Sequence, residues 1–240
     1  MDGTTALSLA AAGVLAVLQL APSLLDAGDT RGGWPRRLTS LGGGFSVAFV
    51  FLYLLPELEE AGDAVAGAAA DALAFAAHEA HLLALTGLVT LYGLEHIARR
   101  ARNTTTRVMT VETAAFACCY AVVGLVLWQR AADGVADLVT FAVAVGVHFL
   151  VIDWRLARRH RRQYQRRARP VLSAMVLVGW ATGAIADVPV EVTGGLTAFL
   201  AGGIVLVALK EELPVETHDR FTWFAAGAVA YALLLTLLPA

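Results

Sequence analysis

Four side chains that can bind a metal ion lie within long apolar stretches of the sequence: His148, Asp153, Cys118 and Cys119. Imidazole nitrogen, thiolate sulfur and carboxylate oxygen are the usual protein ligands of zinc, and thiolates also bind copper(I). Together these residues would hold one such ion. Alternatively, the cysteines are small packing residues and neutral His148 forms a hydrogen bond between helices. The residue types favour this second interpretation.

Further ionisable residues occur at the ends of the apolar stretches. The candidates for entry or exit residues of a cation are Asp187, Glu95, His96 and Glu211. Arginines follow closely after Glu95 and His96, so interfacial ion pairs are the competing interpretation. The sequence contains no phosphate-binding glycine loop, no zinc-protease helix motif and no evident pair of general acid and base. We therefore do not expect an enzyme.

The elements that position these residues follow from composition. Apolar residues make up 58% of the chain and charged residues 16%, against roughly a quarter charged in soluble proteins. Apolar runs of about 18 residues or more predict membrane spans, and the lack of a two-residue alternation favours helices over a barrel. The sequence thus predicts an all-α integral membrane protein, a single domain with eight transmembrane helices at about 5–25, 38–58, 77–98, 108–129, 136–156, 170–187, 193–213 and 221–239.

Basic residues are distributed unevenly between the two ends of these helices. If the N-terminus lies outside, every lysine and arginine except Arg130 falls in a cytoplasmic segment. Because cytoplasmic loops carry an excess of lysine and arginine, this orientation is favoured. An even number of spans then also leaves the C-terminus outside. We expect a multi-pass protein of the cell membrane.

The densest basic stretch follows the fifth apolar run. Its arginines recur at helical spacing, which predicts that the fifth helix continues into the cytoplasm as a basic anchor formed by Arg155, Arg158, Arg159, Arg162 and Arg166. Contact with anionic lipid head groups at the cytoplasmic face is the expected role, and a specific lipid or protein site is the alternative. Because topology explains this run, nucleic-acid binding is not expected.

Two distant stretches share a pattern. Pro56 follows Gly44 by twelve residues, and Pro214 follows Gly202 by the same interval, in both cases with a leucine before the proline. The predicted topology gives these two stretches opposite orientations in the membrane. Opposite orientation of helices 1–3 and 6–8 is the mark of an inverted repeat, a common plan in transporters. Chance similarity between glycine-containing apolar helices is the alternative.

The same stretches carry a family resemblance. Residues 41–57, Leu-Gly-Gly-Gly-Phe-Ser-Val-Ala-Phe-Val-Phe-Leu-Tyr-Leu-Leu-Pro-Glu, resemble the second helix of the ZIP (ZRT/IRT-like) metal transporters. Residues 200–214, Leu-Ala-Gly-Gly-Ile-Val-Leu-Val-Ala-Leu-Lys-Glu-Glu-Leu-Pro, resemble the seventh helix of that family, and residues 83–100 fit the third. The resemblance implies eight helices in a 3+2+3 arrangement and transport of a divalent metal by alternating access.

The family's metal ligands, however, are mostly replaced. ZIP transporters carry patterns like His-Asn-x-x-Glu-Gly and His-Glu-x-Pro-His/Glu on the fourth and fifth helices, and these build a two-metal site. Here residues 119–124 read Cys-Tyr-Ala-Val-Val-Gly, and residues 148–153 read His-Phe-Leu-Val-Ile-Asp. Of these ligands only the first histidine of the fifth helix is kept, so the resemblance implies a site that is largely lost.

Two functions are compatible with this pattern. One is a divergent ZIP-like transporter of a divalent metal or another small solute, with zinc or a similar ion as substrate and no certain cofactor. The other is a non-transporting membrane scaffold or regulatory protein that keeps only the fold. The lipid bilayer is the expected partner in both cases, and a homodimer is compatible with the size of the chain.

Overall fold

A computed structural model of the chain describes residues 3–20, 34–59, 79–100, 105–163, 168–186, 188–212 and 218–237. These residues are almost entirely helical and contain no strand. The eight helices, numbered in chain order, are α1 (Gly3–Leu20), α2 (Trp34–Phe49), α3 (Glu79–Arg100), α4 (Thr105–Asp133), α5 (Val135–Gln163), α6 (Arg169–Ile185), α7 (Val190–Val207) and α8 (His218–Leu237). The predicted all-α fold with eight helices is confirmed.

Each helix overlaps one of the eight apolar stretches. Four segments are long and apolar enough to cross a membrane: Gly3–Leu20, Arg37–Glu59, Thr113–Asp133 and Glu191–Lys210. The other four helices contain shorter apolar segments, Glu79–Leu94, Val135–Leu150, Arg169–Ile185 and Phe221–Leu237. This pattern is compatible with a membrane protein. Helix α5 also runs on to Gln163, through the first part of the basic stretch, as the spacing of its arginines predicted.

A π turn, in which the backbone hydrogen bonds widen by one residue, follows each of α2 and α7, and the chain after the first π turn is again α-helical as far as Glu59. The π turn after α2 spans Val50–Leu54, and the one after α7 spans Ala208–Glu212. Measured from Gly44 and Gly202, both turns begin six residues later. In both helices, the regular α-helical hydrogen bonding is thus interrupted at the same distance from a glycine.

The helices pack most closely in three pairs that are not sequence neighbours: α2 with α8, α3 with α7, and α4 with α6. Glycines permit the α2–α8 contact. A Cβ atom at Gly44 would collide with the carbonyl oxygen of Phe224, and one at Gly227 would collide with that of Leu41. Small residues allow this close backbone approach between helices.

The hydrophobic core is formed mainly by α1, α2, α4, α5 and α6, with contributions from α7 and α8, and its residues Phe49, Tyr120, Leu127 and Leu172 are almost fully buried. Helices α4 and α5 meet at a single residue, Gly134, whose φ of 149° is open to glycine but strained for other residues. That turn sets the start of α5 directly beside the end of α4.

Candidate functional site

His148 lies on the face of α5 that packs against α2. Its side chain is buried, and Nδ1 lies 3.4 Å from Oγ of Ser46 on α2. Nearer the start of α5, the hydroxyl of Tyr53 donates to Asp137 Oδ1 at 3.0 Å. Since Ser46 precedes Tyr53 whereas His148 follows Asp137, the two helices run antiparallel. We call this contact the α2–α5 seam.

The two cysteines differ in their surroundings. Cys118 is exposed on the surface of α4, whereas Cys119 is half-buried and packs against the hydrophobic core. The next residue, Tyr120, stacks on Phe149 with ring centroids 3.7 Å apart and planes tilted by 3°. This stack holds α4 against α5 at the level next to His148.

Asp153 has a charged partner. Arg169, the first residue of α6, donates to its carboxylate from Nη2 at 2.6 Å and from Nε at 3.2 Å. Both side chains are only 6% exposed. A bidentate pair of this kind is among the stronger charge-assisted contacts, so a metal ion would have to displace a guanidinium to reach this carboxylate.

Together the candidate ligands form no evident metal site. Among the residues that the structure describes, no group of three or more His, Cys, Asp or Glu side chains could hold a metal ion. Binding of one soft ion by His148, Cys119, Asp153 and Cys118 stays a prediction. Two of these residues instead form contacts between helices: His148 lies beside Ser46, and Asp153 forms an ion pair with Arg169.

The predicted entry, exit and anchor residues are only partly described. Asp187 and Arg166 lie outside the described residues. Glu95 lies on α3 and Glu211 in the π turn after α7, while the helical part of the basic anchor on α5 contains Arg155, Arg158, Arg159 and Arg162. His96 is exposed and its ring stacks on Tyr92 with centroids 6.3 Å apart. Lys210 Nζ lies 5.4 Å from the centre of the same Tyr92 ring.

A charged cluster that the sequence analysis did not identify closes one end of the α2–α5 seam. Arg130, near the end of α4, pairs with Glu57 beyond the π turn of α2 and, at 3.0 Å, with Asp137 in the first turn of α5. Tyr53 completes the group through its hydrogen bond to Asp137. We call these four residues the Arg130 cluster.

Aromatic rings enclose the Arg130 guanidinium as well. Its central carbon lies 5.5 Å from the centre of the Tyr53 ring and 5.9 Å from that of Phe141. Cation–π contacts of this kind are stronger where water is excluded, and the Arg130 side chain is 15% exposed. One positive charge is thus held between two carboxylates and two rings contributed by α2 and α5.

The sequence contained one signal for this cluster. Arg130 is the single basic residue that the predicted topology leaves outside, and it directly follows an apolar stretch, where a charged side chain is usually paired. Its carboxylate partners lie on other helices, so spacing along the chain could not identify them.

The buried polar groups that have no hydrogen-bond partner among the described residues include Oγ1 of Thr140 on α5 and the side-chain amide of Gln19 on α1. Both residues are at most 1% exposed. Buried polar groups are almost always hydrogen-bonded, so each exception calls for an explanation. Thr140 lies between Asp137 and His148 along α5.

A cavity of about 370 Å³ opens elsewhere, between the start of α1 and the ends of α4 and α6. Thr4, Trp128, Gln129 and Asp133 contribute to its lining. None of the four predicted metal ligands lines this cavity, so the cavity and the predicted ligands occupy different parts of the molecule.

No family model, curated protein or solved structure matches this chain. The resemblance to ZIP transporters therefore stays a prediction that rests on the short segments quoted above. Function has to be inferred from the described residues.

Proposed function

We propose that this chain is a divergent ZIP-like protein of the cell membrane, which moves a divalent metal or another small solute by alternating access. In this proposal the eight helices cross the bilayer in a 3+2+3 arrangement, with helices 1–3 and 6–8 as an inverted repeat and both termini outside. The usual two-metal site is largely lost, and the protein is not an enzyme.

The outer surface of the helices supports the membrane part of the proposal. Large apolar side chains are exposed along several helices, among them Val17 on α1, Val89 on α3 and Val229 on α8, each more than half exposed. Contiguous exposed apolar surface is unusual in a soluble monomer. In a bilayer, lipid chains would cover this apolar surface and keep it out of contact with water.

The shared π turn is the observation that carries the inverted repeat. Gly44 and Gly202 each precede a five-residue π turn by the same six residues, and each is followed by a proline at the same distance. π turns are rare, and they are frequently found at functional sites. Two of them in the same register are better explained by a common origin of the two halves than by chance.

Helix pairing supports the same plan. An inverted repeat that exchanges helices 1, 2 and 3 with 6, 7 and 8 relates the α2–α8 contact to the α7–α3 contact. Both are close glycine contacts: a Cβ at Gly87 would collide with the Phe199 carbonyl oxygen, and one at Gly202 with that of Ala84. The reciprocal glycines of one pair therefore have counterparts in the other.

His148 is the residue on which transport would depend. It is buried near the end of the apolar segment Val135–Leu150 of α5 and contacts α2. An ionisable residue inside a membrane segment is costly and usually functional. In this proposal His148 contacts the solute during passage, with Cys119 on the neighbouring helix as second candidate.

A non-transporting scaffold or regulatory protein with the same fold is the second candidate function. The pairing of Asp153 with Arg169 favours it, because this carboxylate is already neutralised by a bidentate partner. In that case the buried polar residues fix helix packing and contact no solute, and the protein acts through lipids, a second copy of itself or another membrane protein.

Uptake in reconstituted vesicles separates the two functions. Purified protein in lipid vesicles is tested with zinc, manganese, iron and cobalt ions. The transporter proposal expects uptake of at least one ion, reduced at least about tenfold by His148→Ala, since loss of a single binding contact of about 1.4 kcal/mol has that effect.

The cysteines provide a matched control for this assay. Cys119→Ala removes a half-buried thiol and should reduce uptake, whereas Cys118→Ala removes its exposed neighbour and should leave uptake unchanged. Absence of uptake for every ion would favour the scaffold function. Equal effects of the two cysteine variants would exclude Cys119 as a contact residue.

A further inference from the structure

We propose that the cavity of about 370 Å³ between the start of α1 and the ends of α4 and α6 is a binding site for a small organic cation, a methylated or protonated amine. In this proposal Trp128 and Asp133 recognise the positive charge. We call this space the Trp128 cavity. None of its described lining residues belongs to α2 or α5, so the inference does not depend on transport through the α2–α5 seam.

The Trp128 cavity exists because small residues line much of it. Four of the described lining residues carry at most one side-chain carbon: Ala131, Ala132, Gly183 and Ala186. Gly183 also makes room for Trp128, since a Cβ atom at this glycine would lie 2.9 Å from that of the tryptophan. Cavities of roughly 300–1,000 Å³ are typical of small-molecule sites. The space is therefore large enough for a small organic ligand.

The charge of the lining favours a cation. Asp133 is the one ionisable residue among the described residues that line the cavity. Arg130 lies three residues before it, but this guanidinium forms its ion pairs with Glu57 and Asp137 and does not line the cavity. A bound cation would lie near the opposite charge of Asp133, whereas a bound anion would be repelled by it.

The indole ring of Trp128 favours an organic cation over a metal ion. Tryptophan is the best cation–π partner among the side chains, and proteins recognise methylated ammonium groups through such contacts. Calcium and magnesium ions need several oxygen ligands, and the described lining offers a single carboxylate, that of Asp133. A methylated ammonium group combines a charge for this carboxylate with apolar surface for the indole ring and the alanines.

Contacts outside the cavity hold its larger side chains in place. The rings of Trp128 and Trp180 pack edge to face with centroids 5.9 Å apart, and Trp180 Nε1 donates to Ser8 Oγ on α1 at 3.0 Å. Gln129, which also lines the cavity, donates to Thr193 Oγ1 on α7 at 2.9 Å. A site that is ordered before its ligand arrives loses less conformational freedom on binding. The cavity is therefore preorganised by four helices.

Two kinds of ligand carry an ammonium group of this type. One is a free solute such as choline, and the other is the head group of a choline lipid. In the proposed topology the start of α1 and the ends of α4 and α6 lie at the outer face of the membrane, at the level of lipid head groups. Because both ligands present the same chemistry to the cavity, the experiment has to separate them.

Ligand binding to the purified full chain tests the proposal. The protein is prepared in a sugar-based detergent, which carries no ammonium group. The probes are choline, tetramethylammonium and a short-chain phosphatidylcholine, and their Kd values are measured from the NMR signals of their methyl groups. The matched neutral probe is the carbon analogue of choline, in which a carbon atom replaces the nitrogen. We expect this analogue to bind at least about tenfold more weakly than choline, because it lacks the charge that the indole ring and the carboxylate recognise.

Three substitutions in the lining should weaken choline binding. Trp128→Leu should raise Kd at least about tenfold through loss of the cation–π contact. Asp133→Asn should raise it about threefold or more, because the ion pair lies at an exposed position. Ala132→Trp should block the cavity. Since Ala132 and Asp133 are both exposed, these two variants test the site even if Trp128→Leu does not fold.

Two matched controls remove the same chemical groups elsewhere. Glu191→Gln neutralises an exposed carboxylate in the first turn of α7, and Trp223→Leu removes an indole ring near the start of α8. Neither residue is among those that line the cavity, so both variants should keep the Kd of the unmodified protein. Equal weakening by Asp133→Asn and Glu191→Gln would mean that choline follows surface charge, which overturns the site.

The remaining outcomes identify the ligand or reject it. Binding of choline and tetramethylammonium supports a free solute, and binding of the phosphatidylcholine alone supports a lipid head group. Equally tight binding of the neutral analogue overturns the assignment to a cation, and absence of binding for all three charged probes overturns the site. No outcome depends on ion uptake, so this site and the transport function are tested separately.

Discussion

At the scale of single residues, two glutamines illustrate what burial costs a polar side chain. Gln129 donates from Nε2 to Thr193 Oγ1 at 2.9 Å, whereas both polar atoms of the fully buried Gln19 have no hydrogen-bond partner among the described residues. A buried polar group without a partner costs about 1–3 kcal/mol. Replacing Gln19 and Gln129 with leucine should therefore change the stability of the protein in opposite directions.

We expect Gln19→Leu to stabilise the protein by about 1–3 kcal/mol, because an apolar side chain of similar size has no amide to desolvate. Gln129→Leu should destabilise it by about 0.6–1.7 kcal/mol, the range for hydrogen bonds between membrane helices. Denaturant-induced unfolding in detergent measures both. Destabilisation by Gln19→Leu would mean that this amide has a partner, such as a buried water or a solute.

The residues of the candidate site could be predicted from the sequence only in part. His148 was identified because an ionisable residue stands out within an apolar run. The role of Arg169 was not, because the residue lies within a run of arginines that topology explains. Its pairing with Asp153 depends on how α6 returns beside α5, which no spacing along the chain specifies.

At the scale of helices, sequence reasoning was more successful. Continuous apolar runs predicted all eight helices, because a span must satisfy its own backbone hydrogen bonds. The π turns were not predicted, although the Gly44 and Gly202 patterns that contain them were. A π turn reflects one additional residue accommodated by tertiary packing, and residues such as Val50–Leu54 have no composition that distinguishes them from an α-helix.

Close packing of α2 against α8 should make one glycine far less replaceable than another. Gly44→Ala should destabilise the protein by about 1–3 kcal/mol or more, because the methyl group would collide with the Phe224 carbonyl oxygen. Gly13→Ala on α1 has open space around it and should stabilise by about 0.5–1 kcal/mol through helix propensity.

Thermal unfolding of the purified variants measures the two changes in stability. The control is internal, since both substitutions add the same methyl group within a helix. Equal stabilities for Gly44→Ala and Gly13→Ala would contradict the close contact between α2 and α8.

At the scale of the whole molecule, orientation is the prediction with the widest consequences. Epitope tags at the two chain ends should both be found on the outer face, and a protease or antibody site inserted within 155–169 should be found on the cytoplasmic face. Labelling of intact cells before and after permeabilisation measures this. Tags on opposite faces would require an odd number of spans, and two cytoplasmic tags would reverse the proposed orientation.

The sequence did not predict which helices pack against each other. The closest contacts join helices that are not neighbours along the chain: α2 with α8, α3 with α7, and α4 with α6. Glycines such as Gly87 and Gly227 make these contacts possible, but one glycine in an apolar helix does not reveal which partner it faces.

The π turn after α2 determines the direction in which the side chains that follow it point around the helix axis. Successive residues of an α-helix are about 100° apart around its axis, and the turn at Val50–Leu54 adds one residue before Glu57. A chain lacking one of those five residues would keep every charged side chain yet present Glu57 about a quarter-turn away from Arg130. Contact between the two charges is thus fixed by how tightly the helix is wound as well as by which residues it contains.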